Sequence, residues 1–338
     1  MDNYEKVLES IKQLPDQAKQ AWEEVNKLDI PQNCKEAKNI VICGMGGSGL
    51  PAHLMFGVTN LKVPTVLLQD YSLPAWADKN TLVFLSSYSG NTEEVIACGN
   101  RAIEAGCILA GITTGGELVK LLNQNNSLAY VFDPMHNPSG QPRLGLGYNL
   151  FGQLALVYKM GLADTEPEGL DKQIDCINVS PGVWEKLETG TDKLAESLKD
   201  KLPVFFAAEH LVGSAHVAAN QIHETSKTFA TYFAIPESNH HLLEGIKHKN
   251  GNLFPVFLDS KWYRPANRRG LQVTKELLEK SELSGYSYQP PEDNNRLREV
   301  FQTLIFSSLL SLKLSKLYGE DPIAIPAIDY FKEKLEES

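Results

Sequence analysis

The sequence has little cysteine and no paired cysteine motif. Its 338 residues hold five. They are Cys34, Cys43, Cys98, Cys107 and Cys176, odd in number, scattered, and never in a CxxC pair. This excludes a disulfide framework and predicts reduced thiols in a cytoplasmic protein. Positive charge is also in deficit. The 32 Lys and Arg stand against 42 Asp and Glu, for a formal charge of −10. A general nucleic-acid or membrane-surface binder is usually basic, so neither partner is expected. A local basic pocket for a small anion is still allowed. No uninterrupted apolar run approaches the roughly 20 residues that span a bilayer. The opening Met1-Asp2-Asn3-Tyr4-Glu5 is acidic and polar, unlike a signal peptide.

What is present is an alternation of short apolar runs with helical patterns. Residues 4–28 place Val7, Ile11, Leu14, Ala18, Ala21, Val25 and Leu28 at helical spacing, with Pro15 as a break. We read residues 1–30 as an N-terminal helical arm whose role is packing. Strands are predicted at 39–43, 65–68, 81–85, 107–112 and 128–132, with helices at 50–58, 93–105 and 117–123. A Pro-, Gly- and Ser-rich loop at 133–147 leads to a helix at 148–160. These make a first domain over 31–160. Residues 161–198 are polar with helical patches and read as a connection. A second domain over 199–338 has strands at 203–208, 252–258 and 284–288, and helices at 213–228, 264–281, 297–317 and 326–335. Strands alternating with helices imply α/β architecture with mainly parallel, doubly wound sheets. Ligands in such sheets bind beyond the carboxyl ends of the strands.

Two turns lie at such ends. Gly44-Met45-Gly46-Gly47-Ser48-Gly49 follows the first strand and satisfies GxGxxG, with Asp70 after the next strand. By its letters it is a dinucleotide fingerprint, which would suit an NAD-linked oxidoreductase. Ser86-Ser87-Tyr88-Ser89-Gly90-Asn91-Thr92-Glu93-Glu94 follows the third strand and opens a helix. Free helix N-terminal N–H groups beside Ser87, Ser89 and Thr92 suit a phosphate with several oxygens to satisfy. A dinucleotide makes no demand for those hydroxyls, and Ser48 adds another. The phosphosugar reading is therefore preferred to the dinucleotide one, and to a glycine turn that only packs a helix on a strand. Gly46, Gly47, Ser48, Ser87, Ser89 and Thr92 are the candidate phosphate ligands.

Together the two turns resemble a sugar isomerase (SIS) domain. Asn220-Gln221-Ile222-His223-Glu224-Thr225-Ser226-Lys227, Pro236-Glu237-Ser238-Asn239-His240, and the closing Asp321-Pro322 with Ile328-Asp329-Tyr330-Phe331-Lys332 resemble the bifunctional phosphoglucose/phosphomannose isomerase family. The resemblance runs from about residue 20 to 336. It implies two SIS-type subdomains and an aldose–ketose isomerase acting on glucose 6-phosphate and fructose 6-phosphate through a cis-enediol(ate). By that resemblance Glu224 is the proton shuttle between C1 and C2. Periodicity alone favours a surface glutamate paired with Lys227. His240 matches the ring-opening histidine, which in the family arrives from the partner subunit of a homodimer. Lys332 matches a lysine assigned to ring-oxygen chemistry, and Arg143 an arginine that stabilises the enediolate. The family often has Thr after Asp-Pro, linked to acceptance of the mannose epimer. Ile323 stands there, which ranks mannose 6-phosphate behind glucose 6-phosphate. No cofactor is expected. With Lys at 227, the helix lacks the second histidine of a zincin pair, so no metal is expected either. A sugar-phosphate sensor is the alternative from another class, although no basic helix-turn-helix segment accompanies it.

Overall fold

The computed structural model describes residues 1–164, 177–248, 252–291 and 295–336. Cys176 and part of the 161–198 connection lie outside the described residues. The chain opens with α1 (Asn3–Lys12), α2 (Leu14–Asn26) and α3 (Gln32–Lys35). A first α/β unit follows: β1 (Asn39–Cys43), α4 (Gly46–Val58), β2 (Thr65–Leu68), β3 (Thr81–Ser86), α5 (Glu93–Glu104), β4 (Ile108–Thr113), α6 (Gly116–Gln124), β5 (Leu128–Val131) and α7 (Leu146–Lys159). After α8 (Pro181–Leu198) comes a second: β6 (Leu202–Ala208), α9 (Val212–Ser226), β7 (Thr231–Ile235), α10 (Leu242–Gly245), β8 (Leu253–Leu258), α11 (Pro265–Lys280), β9 (Tyr286–Tyr288), α12 (Arg296–Tyr318) and α13 (Pro326–Glu336).

Both sheets are parallel. The first has the order β2-β1-β3-β4-β5, the second β7-β6-β8-β9. Every residue of β3 is buried, because it sits mid-sheet with helices on both faces. Its alternation still sorts side chains: Leu82 and Phe84 join Ile40 and Ile42 on the face that α7 covers. Val83 and Leu85 join Val41 and Cys43 on the face toward α5 and α6. The structure thus has the two doubly wound halves that the βα alternation implied.

Two elements depart from the sequence reading. β7 was not expected. Within 161–198, residues 181–198 form one continuous helix, with Val183, Leu187, Leu194 and Leu198 buried and the α8 axis packed along α12. The helix expected at 297–317 is α12, which is long and apolar enough to cross a membrane by length and composition alone. It is the shared core helix. Its serines hide in the helix itself: Ser307 and Ser308 donate to Leu304 O, Ser311 to Ser308 O, and Ser315 to Leu312 O. Hydroxyls satisfied this way can be buried at little cost.

Candidate active site

In the order β2-β1-β3-β4-β5 the winding direction reverses between β1 and β3. That is the switch point, where the loops leaving adjacent strands diverge and open a crevice. The glycine turn leaves β1 there and the serine turn leaves β3, so the two are neighbours. They are tied together: Ser86 Oγ donates to Ser48 O at 2.8 Å, and Tyr88 N donates to Ser48 Oγ at 2.8 Å. Helix α4 begins at Gly46, four residues earlier than its pattern predicts, and no side chain caps it. Helix α5 is likewise uncapped by a side chain behind Thr92. Two helix N-termini therefore present unpaired N–H groups and positive dipole ends to one crevice.

The candidate hydroxyls divide by role. Ser48 and Ser87 are buried. Ser48 accepts from Tyr88 N, which leaves its own proton available. Ser87 Oγ and Thr92 Oγ1 lie 2.8 Å apart, and Gly90 N donates to Ser87 at 3.1 Å. One of that pair must donate to the other, so together they keep one hydroxyl proton for a ligand. Ser89 is exposed and accepts from Asn91 N at 3.3 Å.

The glycine turn also touches the 133–147 loop. A Cβ on Gly47 would stand 2.9 Å from Arg143 N and 2.9 Å from Pro142 C, so only glycine allows this approach. The loop carries a short 3₁₀ turn at Pro142–Leu144 and is held from the N-terminal helices. Gln17 Nε2 donates to Leu144 O at 2.9 Å and His136 O at 3.0 Å, and Ser139 N donates to Ser10 Oγ at 3.0 Å. Asn137 bridges Tyr88 Oη and Gln141 O, both at 2.9 Å. The arm over residues 1–30 thus packs, as expected, and also braces this loop.

Arg143 is only 2% exposed. Its Nε donates to Thr225 Oγ1 at 3.2 Å, Nη1 to Gln141 Oε1 at 2.8 Å and Glu224 Oε2 at 3.2 Å, and Nη2 to Pro322 O at 2.6 Å and Ile323 O at 3.1 Å. All five guanidinium protons have acceptors. Burial lowers its pKa, and the Glu224 carboxylate opposes that shift. An arginine stays charged regardless, so Arg143 is a fixed cation linking the loop, α9 and the 321–323 segment.

Glu224 lies in the last turn of α9, its side chain 22% exposed. Oε2 is held by Arg143, while Oε1 has no hydrogen-bond partner among the described residues. A carboxylate oriented through one oxygen and open through the other is arranged to take a proton. Next along, Lys227 donates to Glu224 O at 3.0 Å, Thr225 O at 3.3 Å and Asp321 O at 2.6 Å. The expected Lys227–Glu224 side-chain pair is therefore replaced by main-chain bonds. Burial and then Arg143 lower the Lys227 pKa. Asp321 is held low by the Ile323 N–H and is also bonded by Asn3 Nδ2.

Arg143, its backbone against Gly47, pairs with Glu224, but His240 and Lys332 do not join them. His240 closes a 3₁₀ turn, Glu237–His240, after β7. It is exposed and lines a cavity of about 480 Å³ with His241, Leu243, Ile246 and Leu277. Lys332 lies on α13, whose described side chains are exposed throughout. Among the described residues of one chain, no hydrogen bond or ion pair connects either to Glu224. The equivalent switch point of the second sheet is filled rather than open. There His210 Nε2 meets Glu299 Oε2 at 2.7 Å, and Ser260 Oγ donates to the same oxygen at 2.5 Å. Among the described residues no three His, Cys, Asp or Glu side chains gather to hold a metal.

Sequence reasoning did not select Gln141, Thr225, Lys227 or the carbonyls of 321–323. Nothing in their spacing relates them, because only Arg143 and Lys227 draw these separate segments together.

Comparison with known proteins bears on this arrangement. Residues 188–335 match the model of the bacterial phospho-glucose isomerase C-terminal SIS domain. A bifunctional phosphoglucose/phosphomannose isomerase of Caldicellulosiruptor bescii is 32% identical over 98% of this chain and 99% of its own. One from Aquifex aeolicus is 29% identical over 91% of this chain and 93% of its own. Among solved structures, tagatose-6-phosphate ketose/aldose isomerase from Escherichia coli superimposes with a TM-score of 0.73, covering 95% of each chain at 14% identity.

Proposed function

Because this chain belongs to the bifunctional phosphoglucose/phosphomannose isomerase family, we propose that it interconverts glucose 6-phosphate and fructose 6-phosphate. Mannose 6-phosphate ranks second as a substrate. The observation that carries this reading is Glu224, free at Oε1 and oriented by Arg143, whose own backbone lies against the Gly47 turn at the switch point.

The 6-phosphate binds at the N-termini of α4 and α5, against Gly46, Gly47, Ser48, Ser87, Ser89 and Thr92. The helix dipoles and free N–H groups there favour a dianion. Its fixed position holds the far end of the sugar against α9. His240 and Lys332 move protons at the ring oxygen and O1 to open the pyranose. Glu224 Oε1 then removes the C2 proton, and the electron pair passes to O1 as a cis-enediolate. The Arg143 charge lies beside that developing oxyanion. The O2 hydroxyl proton passes to O1 as the C2 carbonyl forms, and Glu224 returns its proton to C1, which completes the ketose. The chemistry is a proton relay that needs neither metal nor redox cofactor. His240 comes from the partner in a homodimer, which fits the lack of any bond between it and Glu224 among the described residues of one chain.

A coupled assay of glucose 6-phosphate and mannose 6-phosphate in parallel, with chelator present, tests substrate class, epimer choice and metal independence. Binding of fructose 6-phosphate without turnover would favour a sensor instead.

A further inference from the structure

The proposed mechanism gives Lys227 no role, yet it occupies an unfavourable conformation. It ends α9 with φ 54° and ψ 30°. This left-handed conformation at a helix end usually belongs to glycine or asparagine, because a Cβ crowds the following carbonyl. The side chain there is not idle. The ammonium has three protons, and each has an acceptor: Glu224 O, Thr225 O and Asp321 O. Two of these carbonyls end the helix that carries Glu224. The third begins the segment whose next two carbonyls, Pro322 O and Ile323 O, are held by Arg143. Three consecutive carbonyls are thus fastened by two cations that also repel each other, which is one reason the Lys227 pKa is lowered.

We propose that Lys227 is a positioning residue. Its ammonium locks the last turn of α9 to the Asp321–Ile323 segment and so sets where Glu224 Oε1 meets the substrate carbons. The proposal rests on the isomerase reading above. Arg143 fixes the Glu224 side chain through Oε2, and Lys227 fixes its backbone. Together they remove the freedom that would let the carboxylate drift from the C1–C2 axis. A misplacement on the ångström scale suffices to slow proton transfer severely.

A helix cap and a positioning cation are separable here. Lys227→Gly suits the left-handed conformation and keeps the helix end, but deletes the ammonium. We expect Lys227→Gly to melt no lower than wild type, to keep its KM for fructose 6-phosphate, and to lose kcat by about 10- to 100-fold. Lys227→Arg, which restores a cation, should recover part of that kcat. Amide hydrogen exchange over 320–326 should quicken in Lys227→Gly. Should Lys227→Gly fail to fold, Lys227→Asn, which tolerates the same backbone conformation, carries the same expectations. Wild-type kcat in the glycine variant would overturn the proposal, as would a rise in KM that accounts for the whole loss. Unchanged exchange over 320–326 overturns it regardless of turnover. A wild-type protein inactive on all three sugar phosphates overturns the isomerase reading instead.

Discussion

Glu224 illustrates how much a single residue's chemistry depends on partners remote in sequence. Its neighbour at i,i+3, Lys227, is the partner that helix spacing suggests. The partner found is Arg143, 81 positions earlier. Glu224→Gln keeps an oxygen for Arg143 to bond but removes the base. We expect kcat to fall about 10²- to 10⁴-fold, the usual worth of a positioned general base. KM and the melting temperature should barely move. Steady-state kinetics with a thermal melt checks this, and a variant retaining most of the wild-type rate would remove Glu224 from the role. Ile323 supports a second residue-scale prediction. Its backbone is pinned at both ends, N–H to Asp321 Oδ1 and C=O to Arg143, so its side chain can change without moving the segment. Ile323→Thr adds a hydroxyl beside the site. One hydrogen bond worth about 1 kcal/mol is about a fivefold preference. The mannose 6-phosphate to glucose 6-phosphate rate ratio should rise by about that factor. The candidate base and cation were legible as letters in motifs. Their saturation by carbonyls was not, since main-chain oxygens leave no mark on a sequence.

At the scale of elements, the site depends on the crossing of α4, which carries the phosphate turn, and α9, which carries Glu224. Glycine makes the approach possible. A Cβ on Gly213 would stand 2.4 Å from His53 O, a backbone atom that cannot step aside. Gly213→Ala should therefore cost about 1–3 kcal/mol, the range of an overpacked core. A denaturant melt measures it. Histidines line the same seam: His53 and His216 rings meet edge to face with centroids 4.7 Å apart, and His216 stacks on Tyr232. Burial pushes His216 down to about 4, with His53 and His223 adding to the shift. Burial lowers His53 as well. The unfolded chain binds these protons near pH 6.5, whereas folded His216 resists until about 4. Stability is thus fully present above pH 6.5 and declines as pH falls toward 4. Melting temperatures across that window should show the decline, and His216→Phe should flatten it. Most elements were legible because buried parallel strands are continuous apolar runs and their helices are amphipathic. β7 was missed: as a half-buried edge strand directly after a helix, it shows neither pattern. The start of α4 was missed for another reason. Gly46, Gly47 and Gly49 are poor helix formers in isolation, and only close packing on β1 and the Arg143 loop makes that turn helical.

For the whole molecule, the question is where His240 acts. Within one chain the Arg143–Glu224 cluster and the His240 turn are separate features, each incomplete for ring opening followed by proton transfer. A twofold-symmetric pair would supply both sites with the missing histidine, each from the opposite partner. Sedimentation should then report a dimer, but size alone does not show sharing of a site. Complementation does. Glu224→Gln and His240→Asn each remove activity when alone, because every site in either homodimer carries one defect. Unfolded, mixed and refolded in equal amounts, half of the dimers should be mixed. If His240 acts across the interface, each mixed dimer has one site with both defects and one with neither. About a quarter of the wild-type activity should return, by this counting on a twofold dimer. If His240 served the Glu224 of its own chain, each site in the mixed dimer would keep one defect and nothing would return. The recovered fraction thus separates an interface that completes the active site from one that only joins two complete enzymes.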